Sequence, residues 1–159
     1  MKIAIDLDNT IVDYRKSIIF FLKEKNKKFL IQNGFTDNQS VSFIKSKIKQ
    51  QLGDLYWQEV QAFIYAEKDN IIFYEDVDKS LNLLSQLGHD LYFVSHKSKY
   101  GLGKSKNINI KEIAIDRFFN WLNKSEFKKN VNGINFCETF NEKLEILANL
   151  NPSIIIDDL

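Results

Sequence analysis

The stretch KIAIDLDNTIV, Lys2–Val12, decides how the rest of the chain is read. Three apolar residues, Ile3, Ala4 and Ile5, run into Asp6, and a second carboxylate follows at Asp8, so a buried-strand pattern ends in paired acids. Side chains two apart on a strand point the same way. Asp6 and Asp8 are therefore expected to face one pocket at the strand's C-terminal end, where open α/β sheets place their ligands. Two like charges so close repel unless a cation sits between them or one takes a proton. Either escape is chemistry: magnesium binding, or a nucleophile beside a general acid. The competing reading of D-x-D alone is an acidic turn in which Asp8, Asn9 and Thr10 cap the next segment.

Downstream of this stretch, Asp13 is expected to cap a helix carrying Tyr14, Ile18, Phe21 and Leu22 at helical spacing and ending near Gly34. Ser40 caps a second, with Val41, Ile44, Ile48 and Leu52 on one side and Gly53 as its stop. Asp54 opens a third, with Trp57, Val60, Phe63 and Ile64 as its apolar face. Three amphipathic helices before any second strand suggest an inserted helical cap. Val77, Leu81, Leu84 and Leu87 form the next helical stripe, ended by Gly88. Leu91–Ser95, LYFVS, is a β-rich run suited to a strand buried on both faces. A loop with Gly101 and Gly103 leads to a helix in which Ile110, Ile113, Ala114, Phe118, Trp121 and Leu122 share a face. INFC, Ile134–Cys137, is a short strand, and NEKLEILANL a helix with Leu144, Leu147 and Leu150 inward. Pro152 breaks that helix before SIII, Ser153–Ile156, a last strand running into Asp157 and Asp158. A closing helix is expected after this pair, and the sequence ends at Leu159.

Strands alternating with helices imply parallel βαβ crossovers and a sheet covered on both faces. The expected fold class is α/β: a Rossmann-like three-layer core over 1–12 and 76–159, with an all-helical cap over 13–75. A chain of 159 residues with 44% hydrophobic composition suits one ordinary globular domain. A formal net charge of +1 supplies no excess of basic charge for a broad nucleic-acid footprint. The one cysteine, Cys137, forms no intrachain disulfide and no cysteine-cluster metal site. No charged leader followed by an apolar run precedes the first strand, and no stretch reaches the ~18 apolar residues that span a bilayer. The expectation is a cytoplasmic protein without a membrane partner.

Polar groups recur at one edge of the expected sheet: Asp6 and Asp8 after the first strand, Ser95 after the second, Asp157 and Asp158 after the last, with Lys143 opening the helix that follows INFC. In DLDNT, the Ser of FVSHKS, the Lys of NEK and the DD of IIIDDL, in that order, the chain resembles the haloacid-dehalogenase-like (HAD) superfamily, most of whose members are magnesium-dependent phosphatases. The match spans the core, while 13–75 matches only as a cap inserted after the first strand.

The resemblance implies Asp6 as a nucleophile that forms an aspartyl-phosphate, and Asp8 as the acid that protonates the leaving oxygen and then helps deprotonate water. It implies Mg2+ held by Asp6, by the Asp8 backbone carbonyl and by an acid of the pair Asp157 and Asp158. Ser95 would hydrogen-bond the phosphoryl oxygens and Lys143 would neutralise shared negative charge. Asn9, His96 and Lys97 are further candidates for substrate contact, with exposed loop roles the alternative for the last two. An acid at Asp8 favours phosphate esters over carbon–halogen bonds. The expected substrate is a small phosphorylated metabolite such as a nucleotide or sugar phosphate. A phosphotransferase or phosphomutase of the same fold, or a non-catalytic binding module, is the alternative.

Overall fold

The computed structural model describes residues 1–66, 72–101 and 106–158; residues 67–71, 102–105 and 159, Gly103 among them, lie outside the described set. In chain order the elements are β1 (Lys2–Ile5), β2 (Val12–Asp13), α1 (Arg15–Lys25), α2 (Lys27–Asn33), α3 (Val41–Leu52), α4 (Asp54–Ala66) and β3 (Ile72–Phe73). There follow α5 (Val77–Gln86), β4 (Asp90–His96), α6 (Ile110–Leu122), a 3-10 turn over Glu126–Asn130, β5 (Val131–Cys137), α7 (Phe140–Leu150) and β6 (Ile154–Ile156).

Four of the strands form a parallel sheet in the order β5-β4-β1-β6. Ile3 and Ile5 stand beside Leu91 and Phe93 on one side and beside Ile154 and Ile156 on the other. β1 and β6, distant in sequence, therefore end at one level, while β4 runs three residues past Phe93 to His96, and this register sets where the residues that follow each strand emerge. Parallel strands require crossover connections; α6 lies in the one between the neighbours β4 and β5, and α7 in the one that carries the chain from β5 at one edge to β6 at the other. The α/β class expected from the sequence is the class observed.

The chain divides into two units: Met1–Val12 with Phe73–Lys99 and Lys111–Leu159, and Asp13–Ile72 with Tyr100–Ile110. The first holds the sheet. Its core centres on Phe93, which packs edge-on against Phe118 at 4.8 Å and beside Trp121, with Phe73 stacked on Trp121 at 4.4 Å. Phe127, in the 3-10 turn, is fully buried in this cluster. Phe127 stands alone between Glu126 and Lys128, so no periodic signal in the sequence marks it as core.

The second unit is helical, with Ile18, Leu22, Ile44, Ile48, Val60 and Ile64 buried. Among the described residues it contains four helices between 13 and 72 where the sequence suggested three. The helix expected to run to Gly34 breaks at Asn26 (φ −152°, ψ 59°), whose Oδ1 accepts from the Phe29 N–H at 3.2 Å and starts α2. Asparagine competes locally for backbone hydrogen bonds in this way. Ser40 caps α3 as expected, accepting from Phe43 N–H at 3.2 Å. Asp13 lies one residue outside the N-cap of α1, which is Tyr14, and its carboxylate accepts from the Arg15 N–H and guanidinium.

Three further expectations are corrected. Leu144 is 48% exposed, because α7 turns its neighbour Lys143 inward and consecutive helical residues point about 100° apart. Leu87 lies beyond the end of α5 and is exposed. Cover on both faces does not extend to β6: Ile155 is 53% exposed and Ile154 and Ile156 are also exposed, as befits an edge strand whose sheet neighbour is β1. Among the described residues no helix is long and apolar enough to cross a membrane.

Truncating Phe127 to Ala should lower the urea-derived unfolding free energy by about 3–5 kcal/mol, the usual loss for a fully buried phenylalanine. Leu87→Ala should stay within about 0.5 kcal/mol.

Candidate active site

The site is assembled where parallel strands stop. Asp6 follows β1 directly, and its N–H still donates to the Ile156 carbonyl at 2.9 Å, so the ladder holds it level with the end of β6. The chain then turns tightly: Leu7 O accepts from both Ile11 N–H (3.1 Å) and Val12 N–H (2.9 Å), and Asn9 adopts the left-handed backbone at φ 57° that asparagine tolerates. Ser95 sits within the end of β4, buried. Lys143 enters from the first turn of α7. Thr139 and Glu142 form a capping box there, the Thr139 hydroxyl accepting from Glu142 N–H and the Glu142 carboxylate from Thr139 N–H.

Lys143 Nζ donates to Asp157 Oδ2 at 2.7 Å and stands 3.1 Å from Asp6 Oδ1, an ion-pair contact outside hydrogen-bond geometry. Lys97 Nζ donates to Asp8 Oδ2. Asn9 Nδ2 donates to Asp158 Oδ2 at 3.1 Å. The structure thus gathers Asp6, Lys143, Asp157 and Asp158, and joins Asp8 to Lys97. His96 turns away: it is exposed, and its Nε2 meets the Glu138 carbonyl at 3.2 Å. The Lys97–Asp8 pair was not foreseen; nothing local links residues 89 apart. The capping box, by contrast, is legible as T-x-x-E.

No family model and no curated protein matches the chain. Solved structures do resemble it. A hydrolase from Streptococcus pneumoniae TIGR4 aligns with a TM-score of 0.51 at 16% identity, covering 97% of this chain and 79% of its own. A phosphatase candidate from Clostridium difficile gives 0.52 at 14% identity, covering 94% and 69%. A haloacid dehalogenase-like hydrolase candidate from Bacteroides fragilis gives 0.51 at 15%, covering 95% and 73%. The chain has the HAD-like fold. At such identities the likeness speaks for the fold, and the chemistry must be argued from the side chains.

Burial, then the nearby Asp8, holds the Asp6 carboxyl above its ordinary 3.8, against the pull of Lys143. Burial opposes the charge on Lys143, but Asp157 and Asp6 outweigh it and hold the ammonium above its ordinary value. Oxygen atoms of Asp6, Asp157 and Asp158 lie within 4.8 Å of one another. Asp6 Oδ1 and Asp157 Oδ1 are buried without a hydrogen-bond partner. With all groups ionised, the four acids Asp6, Asp8, Asp157 and Asp158 outnumber Lys97 and Lys143 by two charges, which one divalent cation would cancel. An all-oxygen donor set suits a hard ion such as Mg2+. The Asp8 carboxylate is not part of this trio.

A cation that binds only the folded state raises its stability, by about 2.7 kcal/mol at a hundredfold excess over Kd. For a chain of this size that is a rise in Tm of roughly 5–10 °C. Millimolar Mg2+ should give a shift of this order in wild type, much reduced in Asp158→Asn, as read by thermal unfolding. Because the folded carboxyl of Asp6 titrates high, its ionisation withdraws stability as pH rises from 3.8 through the raised value. In metal-free buffer Asp6→Asn should therefore flatten the fall in Tm over that window. A Tm indifferent to Mg2+ would count against a metal site here.

Proposed function

We propose that the protein is a Mg2+-dependent phosphatase that hydrolyses a small phosphate monoester through an aspartyl-phosphate. The observation that carries this reading is Asp6, a buried carboxylate at the C-terminal end of β1, flanked by Lys143 and grouped with Asp157 and Asp158. Burial removes much of the water that would otherwise solvate its charge, and so keeps the carboxylate reactive toward phosphorus.

In the first step an Asp6 oxygen forms a bond to phosphorus as the ester P–O bond breaks, and Asp8 gives a proton to the departing oxygen. In the second, water adds to phosphorus, its proton passes to Asp8, and the bond between phosphorus and Asp6 breaks to free the carboxylate. Lys143 supplies fixed positive charge beside the oxygens on which negative charge accumulates. The Ser95 hydroxyl, buried without a hydrogen-bond partner, is a donor available to a phosphoryl oxygen. Asp6, Asp157 and Asp158 would hold Mg2+, which when bound screens the charge of the phosphoryl group from the attacking carboxylate. Asn9, joined to Asp158, would orient that acid. The helical unit is assigned the part of a cap that favours small phosphorylated metabolites. Cys137, a buried free thiol, suits a reducing compartment such as the cytoplasm.

Release of inorganic phosphate from nucleotides, sugar phosphates and p-nitrophenyl phosphate, with and without Mg2+, tests the proposal. Wild type should turn over at least one ester only with Mg2+, and Asp6→Asn should fall to background. Asp8→Asn should lose about 10²- to 10⁴-fold, and Lys143→Met about 10²- to 10³-fold. A folded wild type inactive on every ester would sink the reading.

A further inference from the structure

We infer that Lys97 is a positioning residue for Asp8: it grips one oxygen of that acid so that the carboxylate is presented in a single orientation. The inference rests on the phosphatase reading above and adds to it a residue that acts through the acid instead of binding the substrate.

Lys97 follows the last residue of β4, and its main chain is tied down by an N–H donated to the Cys137 carbonyl at 2.7 Å, which continues the β4–β5 ladder. Its side chain is only 4% exposed. An ammonium so placed is costly to bury unless a carboxylate meets it. Asp8 does: its Oδ2 takes the Nζ hydrogen bond while the side chain as a whole remains 32% exposed. One oxygen of the acid is thus held inside the protein while part of the side chain stays at the surface. The Asp8 backbone is fixed as well, by its bridge to Val12 and the tight turn from Leu7.

Lys143 contacts Asp6 and Asp157, and Lys97 contacts Asp8. The obvious alternative makes Lys97 a direct phosphate ligand, as its place in the S-H-K run suggests. Its burial argues against that, since a phosphate would have to reach an ammonium whose side chain is almost wholly covered.

A residue acting through the proton donor has a signature that simple packing lacks. Loss of Lys97 should matter most where the leaving oxygen needs a proton, and little where it departs readily as an anion. The test compares kcat/KM for an alkyl phosphate and for p-nitrophenyl phosphate in wild type, Lys97→Met, Lys97→Arg, Asp8→Asn and the Lys97→Met/Asp8→Asn pair. Lys97→Met should lose about 10- to 100-fold on the alkyl ester, the range seen when supporting partners are removed, with little change in KM. The aryl ester should lose only a few-fold. Lys97→Arg should recover most of the loss, and in the Asp8→Asn background Lys97→Met should add almost nothing, the non-additivity expected of residues acting as a unit.

Equal losses on both esters, carried mainly by KM, would make Lys97 a phosphate ligand and overturn the inference, as would multiplicative effects in the double variant. Wild type, Lys97→Met, Asp8→Asn and the double variant compared by thermal unfolding supply a readout independent of turnover: Asp8→Asn, which strands a buried ammonium, should lower Tm more than the double variant does. Additive Tm changes would also overturn the pairing. A folded wild type inactive on both esters would instead sink the phosphatase reading and the catalytic role of Lys97 with it, while an active wild type with additive variants would sink only the role of Lys97.

Discussion

Four carboxylates brought to one end of a parallel sheet repel one another, and the structure around them is arranged to tolerate that repulsion. Asp6 follows the central part of the sheet and is buried, so its charge has lost most of its hydration. Left alone it would hold its proton or open the site. Lys143 opposes that tendency by lying between Asp6 and Asp157, and Asn9 binds Asp158 from the turn. Polar groups of this kind weaken a core when judged by stability alone. Their convergence is therefore better explained by the chemistry it permits than by the fold it supports.

The scaffold can carry this strain because its other parts are conventional. The aromatic cluster around Phe93 and the parallel register from Ile3 to Ile5 set β1 and β4 rigidly side by side, so the residues after each strand emerge at a defined place. The capping box at Thr139 does the same for α7, fixing the turn on which Lys143 sits. Precision at the site thus derives from strand ends and one helix start and not from long loops, in keeping with the greater rigidity of regular elements.

Apolar surface and chemistry are separated in this unit. A cavity of about 480 Å3 is lined by Ile5, Ile11, Val77, Leu81, Leu84 and Ile156 together with a few polar neighbours. None of Asp6, Asp8, Ser95, Lys97, Lys143, Asp157 and Asp158 lines it. Asp157 Oδ1 and Ser95 Oγ, buried without a hydrogen-bond partner, and Asp6 Oδ1, held only by its ion pair with Lys143, mark the site, because such atoms are uncommon where a protein has only to be stable.

Much of this was legible before folding was considered. Apolar runs ending in Asp6, Ser95 and Asp157 announce parallel strands with polar ends, since strand period and charge are properties of short stretches. The four signature elements fall in order along the chain, and the HAD-like fold follows from them. The rest depended on long-range geometry. Asn26 breaks a helix whose apolar spacing continues through it, and Phe127 is buried although its neighbours are charged, because packing outweighs local pattern. Lys97 could be read from the sequence as a loop cation ready for a substrate, and only the folded chain shows it buried against Asp8. Sequence determines which groups are available and on which strand they end. The pairing of acids and lysines is decided by tertiary structure, since a carboxylate chooses its partner by distance and burial, and neither is written in residues 89 apart.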